Sequence, residues 1–215
     1  MDPYFLFLKK PEVSFEQTQR TPIFILFLFF LGLAVFFGMI VFFIQFSTGI
    51  HSIALTKIAG YSVTEKILKV IILAPVIEET LFRLLLRFNK NTVKIFFAIT
   101  LSYCIYLIFK EKYMMLVVIL VMQILLLFSI QLTSVNKIST FIEKHFAVIF
   151  YISVLAFGMM HLFNFEFSSS GWYYLPFLVL PQLVAGTILG YIRINYSFVH
   201  GIAFHMLINL GVLLR

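Results

Sequence analysis

Charge is scarce in this sequence, and the scarcity excludes most soluble folds. Only 12% of its 215 residues are Asp, Glu, Lys or Arg, where a soluble domain carries about 25%. Acidic residues are rarest, nine against sixteen Lys and Arg, which leaves a net charge of +7. Cysteine occurs once, at Cys104 inside an apolar run, so no intramolecular disulfide can form. There is no internal repeat of roughly 20–50 residues and no low-complexity linker. No small-residue cleavage site follows the first long apolar run, so a removed signal peptide is not expected.

What fills the space is hydrocarbon. Hydrophobic residues make up 62% of the chain and mean hydropathy is +1.05. A water-soluble core of this size cannot hide so many Phe, Ile and Leu side chains, so many must face lipid or other buried helices. A spanning helix needs about 20 mostly apolar residues. That length predicts an all-α, polytopic transmembrane bundle of about seven spans. They run near Pro22–Phe46, Lys66–Phe88, Val93–Phe109, Tyr113–Leu132, Ala147–Phe163, Tyr174–Ile194 and Phe198–Leu214. The mixed stretch Val135–His145 reads as a short interfacial helix, an eighth. One membrane domain over 22–214 would then follow a cytoplasmic N-terminal segment, 1–21.

In a soluble protein the basic excess would suggest nucleic acid. Here the cations lie between apolar runs, where they set topology and meet anionic headgroups, so the bilayer is the expected partner and nucleic acid is not. With the N-terminus inside, the cytoplasmic face receives Lys9, Lys10, Arg20, Arg87, Lys90, Lys94, Lys137, Lys144 and Arg193. The loop from Glu166 to Trp172 carries no basic residue, as expected of an external loop.

Ionisable side chains at bilayer depth cost several kcal/mol, and they mark function when they face the bundle interior. Three clusters qualify. In Ala74-Pro75-Val76-Ile77-Glu78-Glu79-Thr80-Leu81-Phe82-Arg83, Glu79 and Arg83 are four residues apart and can pair. Glu78 points about 100° away and is free to face a cavity. Pro75 removes a backbone donor one turn earlier. The plainer reading is a Glu-Glu-Arg group snorkelling to the interface, but two adjacent carboxylates inside an apolar run are poor anchors. The second cluster is Phe157-Gly158-Met159-Met160-His161, in which Phe157 can pack on the imidazole. A lone buried His is as often a satisfied core residue as a catalytic one. In the third, His205-Met206-Leu207-Ile208-Asn209, the two polar side chains share a face, and helix packing is the competing explanation. Gly186-Thr187-Ile188-Leu189-Gly190 is a small-xxx-small pattern that points to close helix approach.

In this order the clusters resemble the membrane peptidase family containing CAAX prenyl protease 2 and the bacterial CAAX-protease and bacteriocin-processing proteins. Its motifs Glu-Glu-x-x-x-Arg, Phe-x-x-x-His and His-x-x-x-Asn correspond to Glu78-Glu79…Arg83, Phe157…His161 and His205…Asn209, and Gly186–Arg193 is similar to its usual lead-in. The resemblance covers roughly Lys66 to Leu214. Two departures stand out: Leu84 replaces the Gly that often follows the motif Arg, and extra chain between about Val93 and Leu132 adds a helical hairpin.

The resemblance implies a glutamate-type intramembrane endopeptidase in a prokaryotic cell membrane. Its substrate would be a peptide or protein, prenylated or otherwise membrane-associated. Glu78 would activate water and His161 would orient it. His205 and Asn209 would stabilise the oxyanion, with Glu79 and Arg83 as a supporting pair. No cofactor is implied. Zinc on His161, His205 and a glutamate remains an alternative, although the His-Glu-x-x-His spacing is missing. Two other readings stay open: a non-catalytic immunity or peptide-binding protein of the same fold, and a proton-coupled transporter. Against the transporter, no pair of related halves is visible.

Overall fold

The computed structural model describes residues 2–13, 20–166 and 172–214. The basic-free loop read as external falls at 167–171, outside the described residues, as does 14–19 of the N-terminal segment. The rest is helical almost throughout. Helix α1 (Pro3–Lys9) precedes the 26-residue α2 (Ile23–Thr48), the strand β1 (His51–Ser52) and α3 (Ile53–Ala59). Next, α4 (Val63–Glu65), a π-helical stretch (Lys66–Leu73) and α5 (Ala74–Phe82) follow one another without a break. Helices α6 (Lys90–Phe109) and α7 (Tyr113–Leu132) form the extra hairpin, and α8 (Val135–Lys144) and α9 (Phe146–Met160) come after it. The strand β2 (Phe165–Glu166), α10 (Leu175–Leu178), α11 (Leu180–Asn195) and α12 (Phe198–Asn209) complete the order. The strands pair antiparallel, His51 opposite Glu166 and Ser52 opposite Phe165.

Among the described residues, four helices are long and apolar enough to cross a membrane: Ile23–Thr48, Lys90–Phe109, Tyr113–Leu132 and Phe146–Asn164. Their outer surfaces explain why they need lipid. Phe24, Val35, Phe42, Phe43 and Phe46 of α2 are exposed, as are Met114, Val117, Ile124, Leu125 and Phe128 of α7. A helix that is apolar on every side and still uncovered by protein requires a hydrocarbon solvent. Helix α8 stands apart, as its mixed sequence predicts: none of its residues is buried, and the Ser134 hydroxyl caps its start by accepting from the Lys137 N–H at 3.3 Å.

The centre of the bundle is α11, shorter than the sequence suggested and buried on nearly every side from Ala185 to Asn195. It packs against α9, α2 and α12. Glycine makes the α9 contact close: a Cβ on Gly190 would sit 2.6 Å from Phe150 Cε2, nearer than real carbon contacts allow. Helix α1 docks on the same core. Its N-terminal Asp2 caps Tyr4 N–H at 2.9 Å and accepts from the Thr21 hydroxyl, and the Tyr4 hydroxyl meets Thr187 Oγ1 at 2.7 Å. Tyr4 and Phe7 are buried against Tyr191 and Phe150. Burial raises the Tyr4 phenol to about 12. The sequence gives no sign of this docked helix, because seven residues fall below any hydropathy window.

Candidate active site

Pro75 shapes the first element of the site. Ala74 N–H bonds five residues back to Lys69 O, the π pattern. The next bond of that ladder would run from residue 75 to Val70 O, but proline has no N–H. The helix reverts to α geometry there, with Pro75 in the first turn of α5. The carbonyl left over, Val70 O, accepts instead from Asn209 Nδ2 of α12 at 2.9 Å. A backbone gap on one helix is thus filled by a side chain of another, and the bond ties α12 to the π stretch.

Beyond the switch, α-helical spacing separates the two carboxylates as predicted. Glu79 and Arg83 pair at 2.9 Å, both side chains 1% exposed. Glu78 turns to another face and lines a cavity of about 500 Å³. Glu79 also reaches across to α12, its Oε1 2.9 Å from His205 Nδ1. His161 follows directly on α9, where its Nδ1 meets Phe157 O at 2.8 Å.

These partners set both tautomers. A carbonyl and a carboxylate oxygen only accept, so each Nδ1 carries a proton, and a ring in its neutral form then offers an Nε2 lone pair. Both point at Glu78: Oε2 lies 3.6 Å from His205 Nε2 and 4.0 Å from His161 Nε2. Neither is a hydrogen bond, and among the described residues Oε2 has no hydrogen-bond partner. The Phe157 ring holds the assembly together. Its centroid is 3.7 Å from the Arg83 guanidinium carbon, 4.7 Å from the His161 ring and 5.9 Å from the His205 ring. A guanidinium over an aromatic face is attracted by the ring quadrupole, which serves Arg83 well because its Nε and Nη2 lack hydrogen-bond partners among the described residues.

All six side chains singled out from the sequence therefore lie together, drawn from α5, the end of α9 and α12. Glu78, His161, His205 and Asn209 line the cavity, while Glu79 and Arg83 sit behind it. Ser52, Lys57, Tyr61 and Phe165, from segments the motifs do not touch, also line the cavity. Among the described residues no group of three His, Cys, Asp or Glu side chains is arranged to hold a metal ion. Comparison with known proteins finds no matching family model, no similar curated protein and no similar solved structure.

Proposed function

We propose that this chain is a multi-pass membrane endopeptidase of the CAAX-protease and bacteriocin-processing type, in which Glu78 activates water. One observation carries the reading: a Glu78 carboxylate oxygen with no hydrogen-bond partner among the described residues, and two imidazole Nε2 atoms 3.6 and 4.0 Å from it, converge on one cavity. Two hydrogen bonds of about 2.8 Å meeting at a water near the tetrahedral angle span about 4.6 Å, and a narrower meeting angle brings the span down to the 3.6 and 4.0 Å found between Glu78 and the imidazoles. Tetrahedral zinc, with bonds near 2.1 Å, needs donors about 3.4 Å apart. The observed spacing lies between these two geometries, so it does not by itself call for a metal.

Glu78 takes a proton as the water oxygen adds to the scissile carbonyl. The proton passes to His205 Nε2, and the resulting imidazolium has the Glu79 carboxylate on its other nitrogen, as in a Ser-His-Asp triad. In that form His205 becomes a donor to the oxyanion and then to the departing amine. His161, fixed by Phe157 O, orients the water. Asn209 has one N–H committed to Val70 O, leaving its second for the oxyanion.

The seven-crossing reading belongs to the same proposal. The four long helices, the continuous 63–82 segment, α11 and α12 would cross in turn. The basic loops would place the N-terminus in the cytoplasm of a prokaryotic cell. The test is cleavage of a peptide library by detergent-purified protein beside Glu78→Gln, with and without chelator. Cleavage that survives chelator and falls at least ~100-fold in Glu78→Gln supports the reading. Wild-type protein that binds peptides without cleaving them points to the non-catalytic alternative.

A further inference from the structure

Two arginines outside the motif residues tie α5 to α11. Arg193, in the last turn of α11, is buried and directs its guanidinium at the end of α5. Its Nε donates to Arg83 O at 3.2 Å and its Nη2 to Leu84 O at 2.8 Å. Those carbonyls belong to the turn where α5 gives way to a 3₁₀ segment, Leu84–Leu86, in which Arg83 O also accepts from Leu86 N–H at 3.1 Å and the α-ladder does not continue. Arg87, just past that segment, answers in the other direction: its Nη2 donates to Ile194 O at the end of α11. Each helix has its C-terminal carbonyls capped by a cation that the other helix or its extension supplies, which is where the helix dipole favours positive charge.

Burying a guanidinium is costly unless its geometry is well satisfied. The bonds of Arg193 run to main chain, so they fix the position of the backbone and not of a neighbouring side chain. The backbone in question is that of Arg83. From there the contacts continue: the Arg83 side chain to Glu79 at 2.9 Å, Glu79 to His205 Nδ1 at 2.9 Å, and His205 Nε2 facing Glu78 at 3.6 Å. The chain starts on α11, passes through α5 and ends on α12, which follows α11 by a two-residue turn. An axial slip of α5 against α11 would therefore open the space between Glu78 and His205.

We infer that Arg193, through the Arg83 and Leu84 carbonyls and with Arg87 as its counterpart, is a positioning residue that sets the Glu78–His205 spacing. This rests on the peptidase reading only for its catalytic consequence. The geometric claim stands apart from it.

The experiment uses the full chain in detergent or nanodiscs, labelled with ¹⁵N-histidine, as wild type, Arg193→Gln and Arg193→Lys, with His205→Ala to assign the His205 signals. Arg193→Gln is expected to shift the His205 Nδ1 resonance. It should also lower kcat roughly 100-fold with KM little changed, the loss that about 1 Å of misplacement produces. Arg193→Lys keeps the charge and reaches one carbonyl, so it should recover part of both. If Arg193→Gln does not fold, Arg193→Lys against wild type carries the test alone. Folded variants with unchanged His205 resonance and unchanged kcat overturn the proposal. A moved His205 signal in a protein with no peptidase activity upholds the positioning role and sinks the peptidase reading instead. Equal losses in both variants, with no shift at His205, would make Arg193 a stability element only and also overturn it.

Discussion

The bond from Asn209 to Val70 O exists, on the reasoning above, because Pro75 has no N–H to give, and this can be tested without reference to catalysis. Replacing Asn209 by Ala takes the side-chain donor from the Val70 carbonyl, which is half-buried on the cavity wall. A buried acceptor left unsatisfied costs about 1–3 kcal/mol, and access to the cavity puts this one in the lower half of that range. Replacing Pro75 by Ala restores a backbone N–H at the position where the π ladder would next bond, and Val70 O then has a donor within its own helix. Asn209→Ala made in that background should cost well under about 1 kcal/mol. The double-mutant cycle is therefore expected to show a coupling of about 1–2 kcal/mol, well above the ~0.3–0.5 kcal/mol scatter of independent sites. The side chain of Asn209 and the ring of Pro75 need not touch for this, because they communicate through a single carbonyl oxygen. Reversible unfolding in mixed micelles, followed by circular dichroism for the four proteins, gives the cycle. Additive effects would refute the account of the π segment, and with it the structural half of the role given to Asn209.

Two further perturbations examine the packing around the site. Gly190→Ala places a methyl 2.6 Å from Phe150 Cε2, so overpacking of about 1–3 kcal/mol should outweigh the ~0.5–1 kcal/mol that Ala gains over Gly in a helix. Gly32→Ala on α2, with nothing within 4 Å, is the control and should be neutral or slightly stabilising in the same assay. Tyr4 makes a prediction in pH. Burial holds its phenol at about 12 in the folded state against an ordinary 10.0, so the folded chain prefers the protonated form. That preference contributes fully below pH 10 and is lost as pH rises from 10 to 12, about 3 kcal/mol for two units at 1.36 kcal/mol each. The wild type should lose correspondingly more stability across that range than Tyr4→Phe, and parallel pH profiles would show that the phenol is not sealed from water.

The parts of the site that helical periodicity governs were legible in the sequence. Glu79 and Arg83 pair because residues four apart share a face, and Glu78 turns toward the cavity because adjacent residues do not. The four long apolar helices follow from composition and length in the same way. What escaped were contacts between helices far apart in sequence, and contacts in which a main-chain group is one of the partners. Nothing in the order of residues says that His205 Nδ1 will meet Glu79, that Phe157 O will hold His161, or that Val70 O will be left for Asn209. Each depends on where a helix starts, changes pitch or stops. The π stretch from Lys66 to Leu73 illustrates the point: it rotates everything downstream relative to an ideal α-helix, and only Pro75 marks where it ends. Arg193 was visible as a cation near a helix end, a position that usually means topology. Its two bonds to the end of α5 give it a different meaning, because a guanidinium facing buried carbonyls at a helix C-terminus fixes one helix against another. For a bundle whose candidate site draws side chains from three helices, relative placement of this kind sets the 3.6 Å between Glu78 and His205 on which the proposed mechanism depends.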